Sequence, residues 1–276
     1  LLVNHVKLKT AAELTGIVQT VLFCPEDLAL IKSGAAERRA FLDHAICQLR
    51  PRYGEALAQY HKLLDHKTRI LRDWEKNPSL LEVLEDFNEA MARAGALLIH
   101  YRAHFVGKLA PRAAQIQRDF SGDREELTLS YQTVGTVRDP LGPTVSIYED
   151  LRAHQDSHRR AELEARSCLS GPHKDDLAAW IDGQPARQFA SQGQTRTAAL
   201  SLKLAERELF EDDTGQWPVL LLDDVLSELD ARRQDFVLDR ITGGQVFITS
   251  CETPAGEISR GKILHIHQGA LVDSPN

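Results

Sequence analysis

Two adjacent carboxylates, Asp223 and Asp224, directly follow a short apolar run at residues 219–222. Such a run, bounded by Pro218 and by acids, is typical of a strand that is buried on both faces of a parallel sheet. In open α/β sheets, ligands bind beyond the carboxyl ends of the strands. One carboxylate can coordinate Mg²⁺ there while the next orients a water for phosphoryl transfer. Taken alone, the pattern equally fits a core strand that is followed by a capped helix.

A second stretch that could take part in the chemistry is Ser191-Gln192-Gly193-Gln194, about thirty residues before the acids. We predict that it opens a helix running to about Phe210. The Ser191 hydroxyl suits an N-cap, because it can accept a hydrogen bond from an orphan backbone N–H. Gly193 would let a phosphate approach the backbone, and a helix N-terminus favours anions. The alternative is an ordinary Ser-capped helix.

The order of these features resembles the head domain of the ABC-type ATPases, in which a signature motif precedes a Walker B strand and a D-loop, here residues 226–230. Within that class, the chain is similar to the RecF family of bacterial DNA-repair proteins. The supporting stretches are residues 23–28, 37–43, 171–177 and 191–196. The resemblance runs from the first residues to about Glu252.

The resemblance implies that ATP is bound between two copies of the protein, because the signature helix cannot easily reach the ATP of its own chain. Each signature would then cap the γ-phosphate held by the other copy. The residues assigned in this way are Asp223 for Mg²⁺, Asp224 for the attacking water, Ser191, Gly193 and Gln194 for the partner's γ-phosphate, Ser227 and Asp230 for the dimer seam, and Thr249 for phosphate sensing.

The function implied by the resemblance is ATP-dependent DNA binding in the recombinational repair of gaps and stalled replication. The implied partners are DNA (gapped duplex and junctions of single and double strands), a second copy, and the RecO and RecR proteins that help load recombinase. Two alternatives stay open. A transporter subunit would need a docking surface for membrane helices, and a DNA-tethering module of SMC type would have far longer arms.

No complete Walker A loop, which cradles phosphates with backbone N–H groups and a Lys, occurs in the sequence. The near match at residues 256–263 lacks the Mg²⁺-binding Ser or Thr and leads into a strand pattern. In the family this loop precedes the part seen here, so the resemblance implies that an N-terminal segment is missing. We expect these 276 residues alone to bind ATP poorly and to hydrolyse it negligibly.

The net charge of −7 argues against a uniformly basic nucleic-acid binder. Residues 32–76 nevertheless carry ten basic and six acidic side chains, and this excess could face phosphate. The alternative is a solvated helix face. The candidate DNA contacts are Arg38, Arg39, Arg50 and Arg52. With four scattered cysteines and no run of eighteen apolar residues, we expect a cytosolic protein without a membrane span. The resemblance implies that this cytoplasm is bacterial.

The pattern of the whole chain predicts an α/β fold in two parts. Residues 1–24 and 166–276 would form an incomplete ATPase head, and residues 25–165 a mainly helical lobe. Apolar positions that alternate by three and four in 53–71 and 80–105 predict an antiparallel helical hairpin. We expect Pro111 and Ser121-Gly122 to end the helical stretch. His154 and His158 share a helix face, where we expect both to be solvated.

Overall fold

The computed structural model describes residues 2–3, 5–7, 9, 16–135, 137–251 and 261–272. The strands are β1 (Leu2–Val3), β2 (Val6–Lys7), β3 (Thr20–Phe23), β4 (Leu127–Gln132), β5 (Asp176–Ile181), β6 (Gln184–Pro185), β7 (Val219–Asp223), β8 (Val246–Thr249), β9 (His265–His267) and β10 (Ala270–Val272). The helices are α1 (Ala35–Leu49), α2 (Pro51–Asp73), α3 (Leu84–Ser121), α4 (Thr144–Ala165), α5 (Ala186–Phe189), α6 (Gln192–Thr214) and α7 (Ala231–Arg240). Short 3₁₀ turns occur at Pro25–Ala29, Pro78–Leu81, Pro172–Lys174 and Leu226–Glu228.

A three-stranded parallel sheet in the order β3-β7-β8 carries the two acids. One face of the sheet is buried, with Leu220 and Leu222 of β7 at its centre. On the other face, Leu22 and Phe247 flank Leu221 in register and are 46% and 51% exposed. Within the residues that the structure describes, the prediction of a strand buried on both faces is therefore wrong for this second face.

Helix α6 lies between the parallel sheet and the helical core. Leu200 packs with the residues of the sheet, whereas Leu202 and Leu209 pack with those of the helices. A helix that is buried on several sides is expected at the centre of a fold. Because α6 touches both layers, its N-terminal cap has a fixed place relative to the sheet.

The predicted helical hairpin is formed by α2 and α3, which pack against each other. Tyr53, Leu71, Met91 and Leu98 from its predicted apolar positions are buried. Helix α3 ends at Ser121 with Gly122 as its C-cap, as predicted, but it runs through Pro111, where the prediction of an end is wrong. The buried flanking residues Leu109 and Ala113 hold the helix against the core. This packing outweighs the roughly 3 kcal/mol that an interior proline costs.

An antiparallel sheet joins the two predicted parts of the chain. Strand β4, from the predicted helical lobe, pairs along its whole length with β5, from the predicted head. β5 and β6 meet at Asp182-Gly183, the predicted hairpin turn, where both residues have positive φ. The predicted boundary at residue 165 therefore runs through one hydrogen-bonded sheet, and the division into two parts stays a prediction.

Helix α4 is fixed to the hairpin by buried polar contacts. Lys67 of α2 and Glu162 of α4 form an ion pair at 2.6 Å, and both side chains are buried. His154 is also buried and contacts the Ser170 hydroxyl at 2.5 Å, so the prediction that it is solvated is wrong. Burial lowers the pKa of His154. Among the described residues, no helix combines the length and apolarity needed to cross a membrane.

Candidate functional site

The two acids lie at the carboxyl edge of the parallel sheet, as predicted. Asp223 is the last residue of β7, and it pairs in register with Thr249, the last residue of β8. The Thr249 hydroxyl donates a hydrogen bond to Asp223 Oδ1 at 2.6 Å. The backbone N–H of Asp224 donates to the same hydroxyl oxygen at 3.0 Å. Thr249 therefore holds the carboxylate of Asp223 and the backbone of Asp224.

The backbone of Asp224 is unusual for a residue with a side chain. Its φ is +50°, in the left-handed region, which Asp tolerates better than most residues. Its Oδ1 atom is buried and has no hydrogen-bond partner among the residues that the structure describes. A buried carboxylate oxygen without a partner indicates a ligand position, because such groups are otherwise costly. Nothing in the sequence pattern predicted this turn of the chain.

The donor set at this edge fits Mg²⁺ that is bound together with a phosphate ligand. The described part of the chain contains no group of three or more His, Cys, Asp or Glu residues able to hold a metal. Magnesium usually takes only one or two carboxylates and completes its shell with substrate phosphates and waters. The Asp223 carboxylate is thus a donor of the type that Mg²⁺ prefers.

Ser191 is the N-cap of α6, which confirms the prediction. Its hydroxyl accepts a hydrogen bond from the Gln194 N–H at 3.2 Å, while its own N–H donates to Gln194 Oε1 at 2.9 Å. This reciprocal capping box fixes the start of the helix. Gln192 and Gly193 are the first two helical residues, whose N–H groups have no acceptor within a helix. The helix ends at Thr214, beyond the predicted Phe210, with Gly215 as its C-cap.

The chain after the acids forms a tight connection to α7. The Ser227 hydroxyl donates to the Asp224 carbonyl at 2.7 Å, and Ser227 itself is exposed. Asp230 caps α7 by accepting a hydrogen bond from the Arg233 N–H at 3.0 Å. The Arg233 guanidinium contacts Asp230 as well as Gly193 of the signature helix. Sequence reasoning missed Arg233, although an arginine three residues after a capping acid was a visible signal.

The candidate DNA-binding arginines do not form one exposed face. Arg38 is buried and makes an ion pair with Asp176 at 2.7 Å, so it is unavailable to DNA. Arg39 donates to the Asp175 carbonyl at 2.7 Å and is half-buried. Arg50 pairs with Asp213 at 2.6 Å. Arg52 is exposed. The predicted basic face is therefore wrong for Arg38, whose charge ties α1 to β5.

The chain has paired acids at the edge of a parallel sheet and a Ser-capped helix beside a helical lobe. This arrangement is typical of the ATPase heads of ABC type. No protein-family model matches the chain. The DNA replication and repair protein RecF of Clostridioides difficile is 36% identical over 278 residues, which cover 99% of this chain and 74% of that protein. The chain belongs to the RecF family of DNA replication and repair proteins.

Solved structures give the same result. A structure of the recombination mediator protein RecF-ATPrS in the RecFOR pathway superposes with a TM-score of 0.88 and 35% identity, over 97% of this chain and 71% of that one. A structure of RecF-ATP gives a TM-score of 0.82 and 36% identity, over 92% of this chain and 67% of that one. These similarities do not favour a transporter subunit or an SMC-type tether.

Proposed function

We propose that this chain acts in an ATP-dependent, DNA-binding recombination mediator of RecF type. The observation that carries this proposal is the match to RecF in sequence and fold over nearly the whole chain. The proposed partners are DNA, including gapped duplex and its junctions, a second copy of the protein, and the RecO and RecR proteins. The proposed location is the bacterial cytoplasm.

The proposed role of the signature is to bind the γ-phosphate of ATP that is held by a second copy. The Ser191 cap supports this role, because the first turn of α6 presents backbone N–H groups and the positive end of the helix dipole. The side chains of Ser191 and Gln194 are exposed or partly exposed there, as is Gly193. ATP would thereby hold two heads together, and its hydrolysis would release them.

The residues proposed for catalysis lie at the carboxyl ends of β7 and β8. Asp223 would hold Mg²⁺, which neutralises phosphate charge when it is bound. Asp224 would orient the attacking water with its unpartnered oxygen. Thr249 would sense the phosphate, and Ser227 and Asp230 would line the seam with the second copy, since both are exposed beside the acids.

Replacing Asp224 with Asn in the full-length protein tests this proposal. Asn keeps the shape of the side chain but is a poor acceptor for a water proton, so we expect ATP turnover to fall by about 100-fold or more. The variant should accumulate as an ATP-bound dimer on DNA, measured by sedimentation with ATP, Mg²⁺ and gapped duplex. Asp239→Asn, at an exposed position on α7, is the matched control. Wild-type turnover in Asp224→Asn would rule out the assigned role.

Arg39 and Arg50 are partly exposed and remain proposed DNA contacts. The exposed candidate chosen for the test is Arg52. Changing it to Glu should weaken DNA binding and lower the slope of log affinity against log salt by about one, the effect of losing one phosphate contact. Arg159→Glu, on the exposed side of α4, is the control of equal charge change. If the two variants show the same affinity and salt slope, Arg52 does not bind phosphate.

A further inference from the structure

The signature helix and the segment after the acids are joined by one guanidinium group. Arg233 Nη2 donates to the Gly193 carbonyl at 2.9 Å. Its Nη2 and Nε atoms also donate to the Thr197 hydroxyl oxygen, at 3.0 and 3.2 Å. Its Nη1 atom contacts the Asp230 carboxylate. Arg233 thus holds the first turn of α6 and the cap of α7 at the same time.

Gly193 has no side chain, which leaves room for the Arg233 guanidinium. A Cβ atom at this position would lie 3.2 Å from Arg233 Nη2. The Gly193 carbonyl also accepts a hydrogen bond from the Thr197 hydroxyl at 3.0 Å, so it has two donors. Arg233 therefore holds the signature backbone at the Gly193 carbonyl, whereas the N–H groups of Gln192 and Gly193 have no acceptor within the helix.

A second arginine links the same two segments. Arg196 Nη1 donates to the Glu228 carbonyl at 2.9 Å, and its Nη2 atom lies 3.6 Å from the Glu228 carboxylate. The Gln234 side chain donates to the carbonyls of Leu226 and Leu229, at 2.7 and 3.0 Å. Residues 226–230 are consequently anchored to α6 on one side and to α7 on the other.

The Arg233 contacts to α6 are partly buried, whereas its contact to Asp230 is exposed. Its side chain is 17% exposed, and its guanidinium stacks over the Phe120 ring at 5.2 Å. Hydrogen bonds from a charged group are stronger where water is excluded. The planar fork of Arg reaches Gly193 and Asp230 together, whereas the single ammonium group of Lys cannot. The link therefore depends on arginine chemistry and not on charge alone.

We propose that Arg233 is a positioning residue that couples the signature cap to the segment at residues 226–230. When the cap binds the phosphate held by a second copy, Arg233 keeps Ser227 and Asp230 in register with that copy's site. Arg233 itself touches no nucleotide. This inference rests on the proposed function, because it needs a phosphate that is bound across two copies.

The test is ATP-driven dimerisation of the full-length protein, measured by sedimentation with ATPγS and Mg²⁺. Arg233→Ala should weaken the dimer by about tenfold or more, because residues 226–230 are then no longer held in register with the signature cap. Arg233→Lys should restore only part of this loss. The matched control is Arg232→Ala, because Arg232 contacts the Phe120 carbonyl at 2.7 Å and not α6. Binding of ATPγS to the monomer should remain close to wild type in all three, whereas the Tm of Arg233→Ala should fall by a few degrees because its lost hydrogen bonds lie within the chain.

The outcomes separate this inference from the proposed function. If the wild type itself stays monomeric with ATPγS, the proposed function fails and this inference falls with it. If the wild type dimerises and Arg233→Ala dimerises as strongly as Arg232→Ala, only this inference is overturned. The inference is also overturned if Arg233→Ala loses ATPγS binding as a monomer, or if its Tm falls so far that unfolding accounts for the weaker dimer. It is overturned as well if Arg233→Lys dimerises like wild type.

Discussion

Gly171→Ala is expected to destabilise the protein by about 3 kcal/mol, through a steric clash and backbone strain. Gly171 has φ +128°, a conformation that residues with side chains rarely adopt. A Cβ atom there would lie 2.2 Å from the Tyr60 hydroxyl oxygen. Tyr60 is 1% exposed within the helical core, so its ring cannot move aside without disturbing that core.

The clash would also break a buried polar contact. The Tyr60 hydroxyl lies 2.7 Å from His173 Nδ1, while His173 Nε2 contacts the Cys168 carbonyl at 3.2 Å. Burial lowers the pKa of His173 to about 4, so its ring is neutral at pH 7 and fits this pair of contacts. Nearby, burial raises the pKa of Asp175 to about 6. Without a side chain at Gly171, the contacts among Tyr60, His173 and Cys168 can form and join the 171–175 segment to the helices.

Urea unfolding measures this effect, with Gly107→Ala as the matched control. Gly107 lies within α3, and a Cβ added there meets no atom within 4 Å. The control should leave stability unchanged or raise it by up to about 1 kcal/mol, because Ala favours a helix over Gly. Opposite signs are thus expected for the same chemical change. A Gly171→Ala variant as stable as the Gly107→Ala variant would contradict the role given to Gly171.

Glu162→Gln is expected to destabilise the protein by about 3–5 kcal/mol, because it leaves a buried charge unpaired. The partner, Lys67, is 0% exposed, and its ammonium nitrogen lies 2.6 Å from Glu162 Oε2. The other oxygen of Glu162 accepts a hydrogen bond from the Leu169 N–H at 2.7 Å. Gln can keep that second bond, so the substitution isolates the loss of the ion pair.

The control for this prediction is Glu164→Gln on the same helix. Glu164 pairs with Arg160 at the surface, where an ion pair contributes less than about 1 kcal/mol. Adding Lys67→Met to Glu162→Gln should recover part of the lost stability, because the unpaired charge is then gone. Thermal and urea unfolding would both report these differences. Equal losses in Glu162→Gln and Glu164→Gln would show that the buried pair is not important.

The features that could be predicted from sequence are those with local causes. The Ser191 cap depends on a residue three positions away, and the two acids follow directly from the end of an apolar strand. The helical hairpin follows from the spacing of its apolar residues. Short-range hydrogen bonding and hydrophobic periodicity act within a few residues, so the pattern of the chain records them.

The features that sequence reasoning missed depend on contacts between distant residues. Arg38 was assigned to a DNA surface, but its partner Asp176 is 138 positions away. The burial of His154 depends on Ser170 and on the packing of α4. Asp224 has a positive φ just after β7, and its N–H donates a hydrogen bond to Thr249 of β8 there. No local pattern records these long-range partners, and charged residues are usually assigned to the surface by default.

The most direct measurement is the sedimentation mass of the full-length Asp224→Asn protein with ATP and Mg²⁺, compared with the same protein that also carries Ser191→Arg. If the capped turn of α6 binds the phosphate held by a second copy, Asp224→Asn should sediment as a dimer. The double variant should remain a monomer that still binds ATP, because the larger side chain blocks the cap. Equal dimerisation of both proteins would contradict a γ-phosphate bound at Ser191 across two copies.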